Sequence, residues 1–333
     1  MSEELRRLII ESKIFKGFHW LKPHHFEPLL RKERGSNAAE AIIESIALVE
    51  KESPGFAVEF IEKLAALGGR EKDREQYEQI LQLLSELLVA KKLIQSFWCG
   101  PAKFTTSARI PGTAKDIEML VELGELKIGY EVKAPKLVDH AWKRAEADLL
   151  IHTRLPEAVL TDLSESKEKV LLPRDNAIKD FLESADAKFA GFKTAHPNFY
   201  SVLVIVIEDA GTQEIISART SPIAGLLTST SFATKADGAR PLYANVDAVV
   251  LVRHGNLFVD GLAERGFIHG RQNILDYGTK GYPWKVILPN PAGRKILQIA
   301  ADALDAVLLD SYKAYELGKE YIAVDAISRV PPR

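Results

Sequence analysis

Apolar positions along this chain change period at one place that organises the rest. From 71 to 97 they recur at helical spacing, with Tyr77, Ile80, Leu81, Leu84, Leu87, Leu88 and Leu93 on one wide face. From 116 to 133 they alternate, as on strands whose two faces meet different surroundings. Folding 116–133 about Gly124 predicts a β-hairpin whose paired residue numbers sum to about 247. That register sets Asp116 opposite Glu131, Glu118 opposite Gly129 and Leu120 opposite Lys127. The other face pairs Ile117 with Tyr130, Met119 with Ile128 and Val121 with Leu126. One face is apolar. The other gathers Asp116, Glu131 and Lys133 at the end away from the turn.

The remaining pattern brackets this hairpin with helices and buried strands. A helix from Asn37 carries Ala41, Ile42, Ile46 and Val49 on one face, and Gly68-Gly69 marks the end of a helical preface. Residues 138–172 read as helical and charged. A helix over 177–189 repeats Ile178, Phe181, Leu182, Ala185 and Phe189, and the β-branched run 200–207 predicts a strand buried on both faces. Asp247–Arg253 and Asn256–Asp260 read as a hairpin turning at His254-Gly255, and 284–288 as an edge strand or loop. A final amphipathic helix over 293–319 carries a stripe that suits core packing or a homodimer interface. The division is therefore 1–70, 71–290 and 291–333.

Composition narrows the classes. The chain has 333 residues, 46% hydrophobic and 27% charged, with a net charge of −2. These are values of an ordinary globular protein, and they leave nucleic-acid binding to a local basic cleft. The single cysteine, Cys99, excludes an intrachain disulfide framework and a Cys-rich zinc module, and fits a reducing cytoplasm. No apolar run reaches the ~18 residues of a membrane span, so no membrane association is expected. His19, His24 and His25 gather around Pro23 without a matching ligand spacing and read as surface histidines.

Two carboxylates and a lysine at one hairpin end suit a Mg²⁺ site, since that ion takes oxygen ligands from carboxylates, water and phosphate. The plain alternative is a solvated face with a cross-strand ion pair, worth under ~1 kcal/mol. The residues also resemble a family. Asp116 followed by Glu131-Val132-Lys133 is similar to the D…E-x-K core of the PD-(D/E)xK nucleases, which include restriction enzymes and Holliday-junction resolvases. Ser85–Ile94 resembles the first core helix of that family, which carries an acidic residue, here Glu86. Ala114-Lys115 departs from the pattern, standing where a proline often precedes the aspartate.

The resemblance implies an α/β restriction endonuclease-like core, a central mixed sheet flanked by helices, with helical additions at both ends. It implies an endonuclease acting on nucleic acid, DNA in the first instance. Asp116, Glu131, Glu86 and the Val132 carbonyl would hold Mg²⁺, or Mn²⁺ in its place, and Lys133 would position the attacking water. Lys133, Lys136, Lys143 and Arg144 form a basic cluster for a phosphate backbone, and Lys188 could reach a phosphate. The alternative is a nuclease-like module without activity that binds DNA or protein.

Overall fold

The computed structural model describes residues 2–16, 24, 26–31, 36–67, 73–110, 115–155, 159, 161–162, 165, 169–208, 212–222, 224–266, 270–280, 284–295 and 298–308. His19, Trp20, Pro23, His25, Gly68-Gly69, Pro111-Gly112, Ala114 and His269 lie outside these residues, as does the expected helix beyond 308.

The chain opens with helices α1 (Ser2–Glu11), α2 (Lys13–Lys16), α3 (Glu27–Arg31), α4 (Asn37–Glu52) and α5 (Phe56–Ala66). The long helix α6 (Arg74–Gln95) follows, capped by the Asp73 side chain accepting from the Gln76 amide. Strands β1 (Lys103–Arg109), β2 (Asp116–Leu123) and β3 (Leu126–Lys133) form an antiparallel meander. Then come α7 (Val138–Glu146), β4 (Leu149–Leu150), β5 (Val170–Leu171), α8 (Asp175–Ala195), β6 (Phe199–Ile207) and α9 (Thr212–Thr220). The last described elements are β7 (Ala248–Arg253), α10 (Gly255–Leu262), β8 (Lys285–Pro289), α11 (Gln298–Ala303) and β9 (Val307–Leu308).

Among the described residues the main sheet is mixed, in the order β1-β2-β3-β6-β7-β8-β9, with β3, β6 and β7 running parallel. β6 lies at its centre, and its β-branched run faces helices on both sides. Val202, Val204 and Val206 join one core with α6 and the N-terminal helices. Phe199, Leu203, Ile205 and Ile207 join another with the apolar stripe of α8, which is Ile178, Leu182, Ala185, Phe189 and Phe192. The architecture is α/β, a central mixed sheet with flanking helices.

Gly129 in β3 marks how closely these layers meet. A Cβ there would lie 2.3 Å from Phe199 Cζ and 2.9 Å from Ile117 Cδ1, so a methyl group must displace the ring. Gly129→Ala is expected to cost about 1–3 kcal/mol, the range for overpacking a filled core. An unchanged denaturation midpoint would show that the ring moves aside freely.

Several sequence expectations change. The helix of 138–172 stops at Glu146, and β4 pairs with β5 as a small parallel sheet. Asn256–Asp260 is helical, inside α10, because Leu257, Phe258, Gly261 and Leu262 bury at helical spacing and β7 already has partners on both edges. His254 is a buried core residue with Nε2 donating to the Ile274 carbonyl at 2.8 Å. Burial pushes its pKa down to about 3. His24, expected at the surface, is buried with Nε2 on the Leu64 carbonyl at 2.8 Å. At the end of the described chain, α11 stops at Ala303 and Asp305 takes φ +47°, after which Val307–Leu308 pairs with β8. Pairing covers an edge that would otherwise leave its backbone groups open, so β8 is internal to the sheet.

Candidate active site

The site forms where β2 and β3 part. Their ladder runs from Leu123 opposite Leu126 to Met119 opposite Tyr130, and no pair follows. Leu120 faces Gly129 and Glu122 faces Lys127, so the register is displaced by two from the expected one. The cause is the turn. Gly124, at φ +61°, opens a two-residue loop with the glycine first, as a type II′ turn requires, where the expected register would centre an equally short loop on Leu123-Gly124, with the glycine second. A shift of two preserves side-chain facing. It therefore brings Glu118, in place of Asp116, beside Glu131.

Beyond Met119 the regular alternation also breaks. Met119 and Val121 pack in the α6-side core, but Ile117 packs in the α8-side core. On the neighbouring strand, Ser107 sits between two paired positions with φ +47°, a conformation uncommon outside glycine. Glu118 accepts a hydrogen bond from the Val132 amide at 3.2 Å, replacing a ladder bond with a side chain. The strands open there, and side chains from both helical layers meet in the gap.

Four titratable groups fill it. Glu131 is fully buried. Lys133 Nζ lies 2.8 Å from Glu131 Oε1, and Lys188 Nζ, from α8, lies 2.6 Å from the same oxygen. Both ammoniums also reach Glu118, at 3.9 and 3.8 Å. Burial raises the Glu118 pKa well above the ordinary carboxylate range, reinforced by its hydrogen bond and charge contact with Glu131. Burial pushes Glu131 the same way, but the proton shared by Glu118 and the two lysines outweigh it and leave Glu131 below its ordinary value. Of the two carboxyls Glu118 is therefore the one that takes up a proton more readily, and Glu131 the one that holds its charge against the lysines. Burial would lower the Lys133 pKa, yet Glu131, Glu118 and Glu86 raise it above ordinary, so the side chain is an ammonium at neutral pH.

Helix α6 supplies the wall through residues one turn apart. Glu78 accepts from the amides of Leu137, Val138 and Asp139 at 3.0, 2.7 and 3.0 Å, anchoring the start of α7. Gln82 donates to the Val132 carbonyl at 2.9 Å and accepts from the Ala134 amide at 2.7 Å, fixing the end of β3. Gln82 also donates to Glu86 at 2.9 Å. Burial raises the Glu86 pKa, while Gln82, Lys63 and Lys133 oppose it.

Of the expected residues, Glu86, Glu131, Lys133 and Val132 converge. Asp116 lines the cleft together with Glu86, Glu118 and Val132, but its Oδ2 is held by Arg109 at 3.0 Å at the end of β1. Lys63 and Glu59 of α5, paired at 2.7 Å, complete the opposite rim. In the basic cluster, Lys143 is paired with Asp139 at 2.7 Å. Glu118 is the residue that sequence reasoning misplaced, and its only signal was the place of Gly124 as the first residue of the turn. Gln82 had none beyond its place one turn before Glu86. Among the described residues no group of three or more His, Cys, Asp or Glu stands in a ready metal-holding arrangement. Compared with protein-family models, curated proteins and solved structures, the chain matches none.

Proposed function

We propose that the chain is a Mg²⁺-dependent endonuclease of the PD-(D/E)xK kind, acting on DNA, with Glu118 in the position that the motif assigns to its first acid. The observation that supports this reading is the carboxyl pair of buried Glu131 and half-buried Glu118 with Lys133 and Lys188 against it. Hard divalent cations take carboxylate and carbonyl oxygens. Glu118, Glu131, Glu86 and the Val132 carbonyl offer that donor set, and a pair in which burial and the neighbouring carboxyl push Glu118 toward protonation gains from a divalent charge. Bound Mg²⁺ supplies Lewis acidity toward the phosphodiester and lowers the pKa of a water. The protein's own part is positional. Gln82 fixes the Val132 carbonyl, and Glu118 and Glu131 hold their carboxyls side by side. Lys133, kept protonated, orients water and neutralises charge on the phosphate as a cation rather than as a base. Asp116 lines the same cleft with its carboxylate held by the exposed Arg109, a pair suited to contacting substrate rather than the metal.

Purified protein is expected to nick supercoiled plasmid in Mg²⁺ or Mn²⁺ and not in EDTA. Lys133→Ala should cut at least ~100-fold more slowly, since several kcal/mol of charge stabilisation are lost. Cutting by Lys133→Ala at the wild-type rate would overturn the assignment. The ion pairs on Glu131 also suit a module that binds without cutting, and Mn²⁺ calorimetry separates the two, because a binding module gives no heat that Glu131→Gln removes. No helix among the described residues is long and apolar enough to cross a membrane.

A further inference from the structure

We propose that the substrate presents unpaired bases and that Trp142 stacks on one of them. The cutting end of this inference rests on the nuclease reading above; the binding end rests on the surface beside it. Trp142 is 54% exposed, whereas Trp98 and Trp284 are buried. An indole left in water forgoes the burial that makes aromatic side chains valuable in a core, and such rings are the usual platforms for bases of a single strand. The Arg74 guanidinium lies 4.6 Å from the ring centroid and braces one side of it. The exposed area is then the opposite side and the edge.

Position gives this ring its meaning. Arg74 is one turn before Glu78 on α6, and Glu78, Gln82 and Glu86 follow at the same interval. The helix thus bears on Trp142, on the start of α7, on the end of β3 and on the carboxylate cleft in turn. Twelve residues at ~1.5 Å each separate Arg74 from Glu86, placing the ring about 18 Å along the helix from the cleft. Glu78 holds α7 by three amides, so the platform is fixed relative to the cleft. Lys136 is exposed two residues ahead of α7, and Arg144 and Lys143, the latter paired with Asp139 at 2.7 Å, occupy the last turn of the helix that carries Trp142, cationic groups beside the ring that suit a polyanion. A base inside a duplex offers its face only to neighbouring bases, whereas a ring on a helix surface needs a base that has left the stack.

The test measures anisotropy of labelled 20-nucleotide oligothymidylate and of a blunt 20-base-pair duplex on the full chain in EDTA. Trp142→Ala is expected to weaken single-strand binding about tenfold or more, with duplex binding changed less than twofold and Trp142→Phe close to wild type. Equal binding of the single strand by wild type and Trp142→Ala would overturn the inference. So would equal losses on both probes, or wild type that binds no single strand, which would point to a protein partner for this ring. Cleavage is scored separately on the same preparations. Absence of cutting with a selective Trp142 effect sinks the nuclease reading alone, and cutting with no Trp142 effect sinks only the inference drawn here.

Discussion

Glu118→Gln and Glu131→Gln are each expected to cut supercoiled DNA at least ~100-fold more slowly than wild type in Mg²⁺, while Asp116→Asn loses less than about tenfold. The difference follows from the register. The two glutamates share two lysines in the gap, whereas Asp116 is engaged by Arg109 at the end of β1. A ligand carboxylate contributes several kcal/mol to a metal-assisted step, and each 1.36 kcal/mol is a factor of ten in rate. A rim residue positions substrate and loses less. Plasmid-nicking rates of the three variants at saturating Mg²⁺ decide it. If Asp116→Asn is the dead variant and Glu118→Gln the active one, the first acid of the motif is Asp116, and the parting of β2 and β3 must close in the working enzyme.

The same Glu118→Gln protein is expected to be more stable than wild type at pH 8, with the advantage shrinking toward pH 5. Burial raises the Glu118 pKa above its unfolded value, so the folded state binds a proton that the unfolded chain has released. Such a group contributes its stability fully below the unfolded pKa, near 4.5, and loses it as pH rises through the folded value. Glu86 and Glu214, also raised by burial, act in the same direction, and Glu131, lowered, acts against them. One group contributes a slope of at most about 1.4 kcal/mol per pH unit. Glutamine keeps the shape of the protonated carboxyl, with its oxygen for the Val132 amide and its NH₂ for Glu131, and has no proton to lose. Thermal melts in EDTA from pH 5 to 8 should therefore show a shallower decline for the variant. A variant less stable than wild type at pH 8 would mean that Glu118 is ionised in the fold. Activity and stability thus change in opposite directions at one residue, as expected where a site holds charge against the interests of the core.

How much of this was legible in the sequence depended on what each pattern constrains. Helix α6 and strand β6 were readable because Leu81, Leu84 and Leu88 keep one period, and 200–207 is apolar without interruption. The hairpin was readable as a hairpin, yet its register was not. Sums two apart leave every side chain on the same face, so hydrophobic alternation cannot distinguish them, and only the place of Gly124 in its two-residue loop does. The reversal of Ile117 had no signal, because it depends on a kink at Ser107 in a different strand. Lys188 was legible as a lysine near the end of a helix, but its arrival at Glu131 required the packing of α8 across β3 and β6. The reading of α10 as a strand and of Val307–Leu308 as helix failed for a common reason. Short apolar runs fit either period, and the free edges of the sheet decided between them.

The side-chain bond to the Val132 amide has a use of its own. In a regular ladder that proton would report on strand fraying; here its acceptor is the carboxyl whose protonation is at issue. The nitrogen and proton resonances of Val132 should therefore follow the titration of Glu118. They give a spectroscopic handle on the acid in the resting protein, readable with no substrate present and no residue replaced.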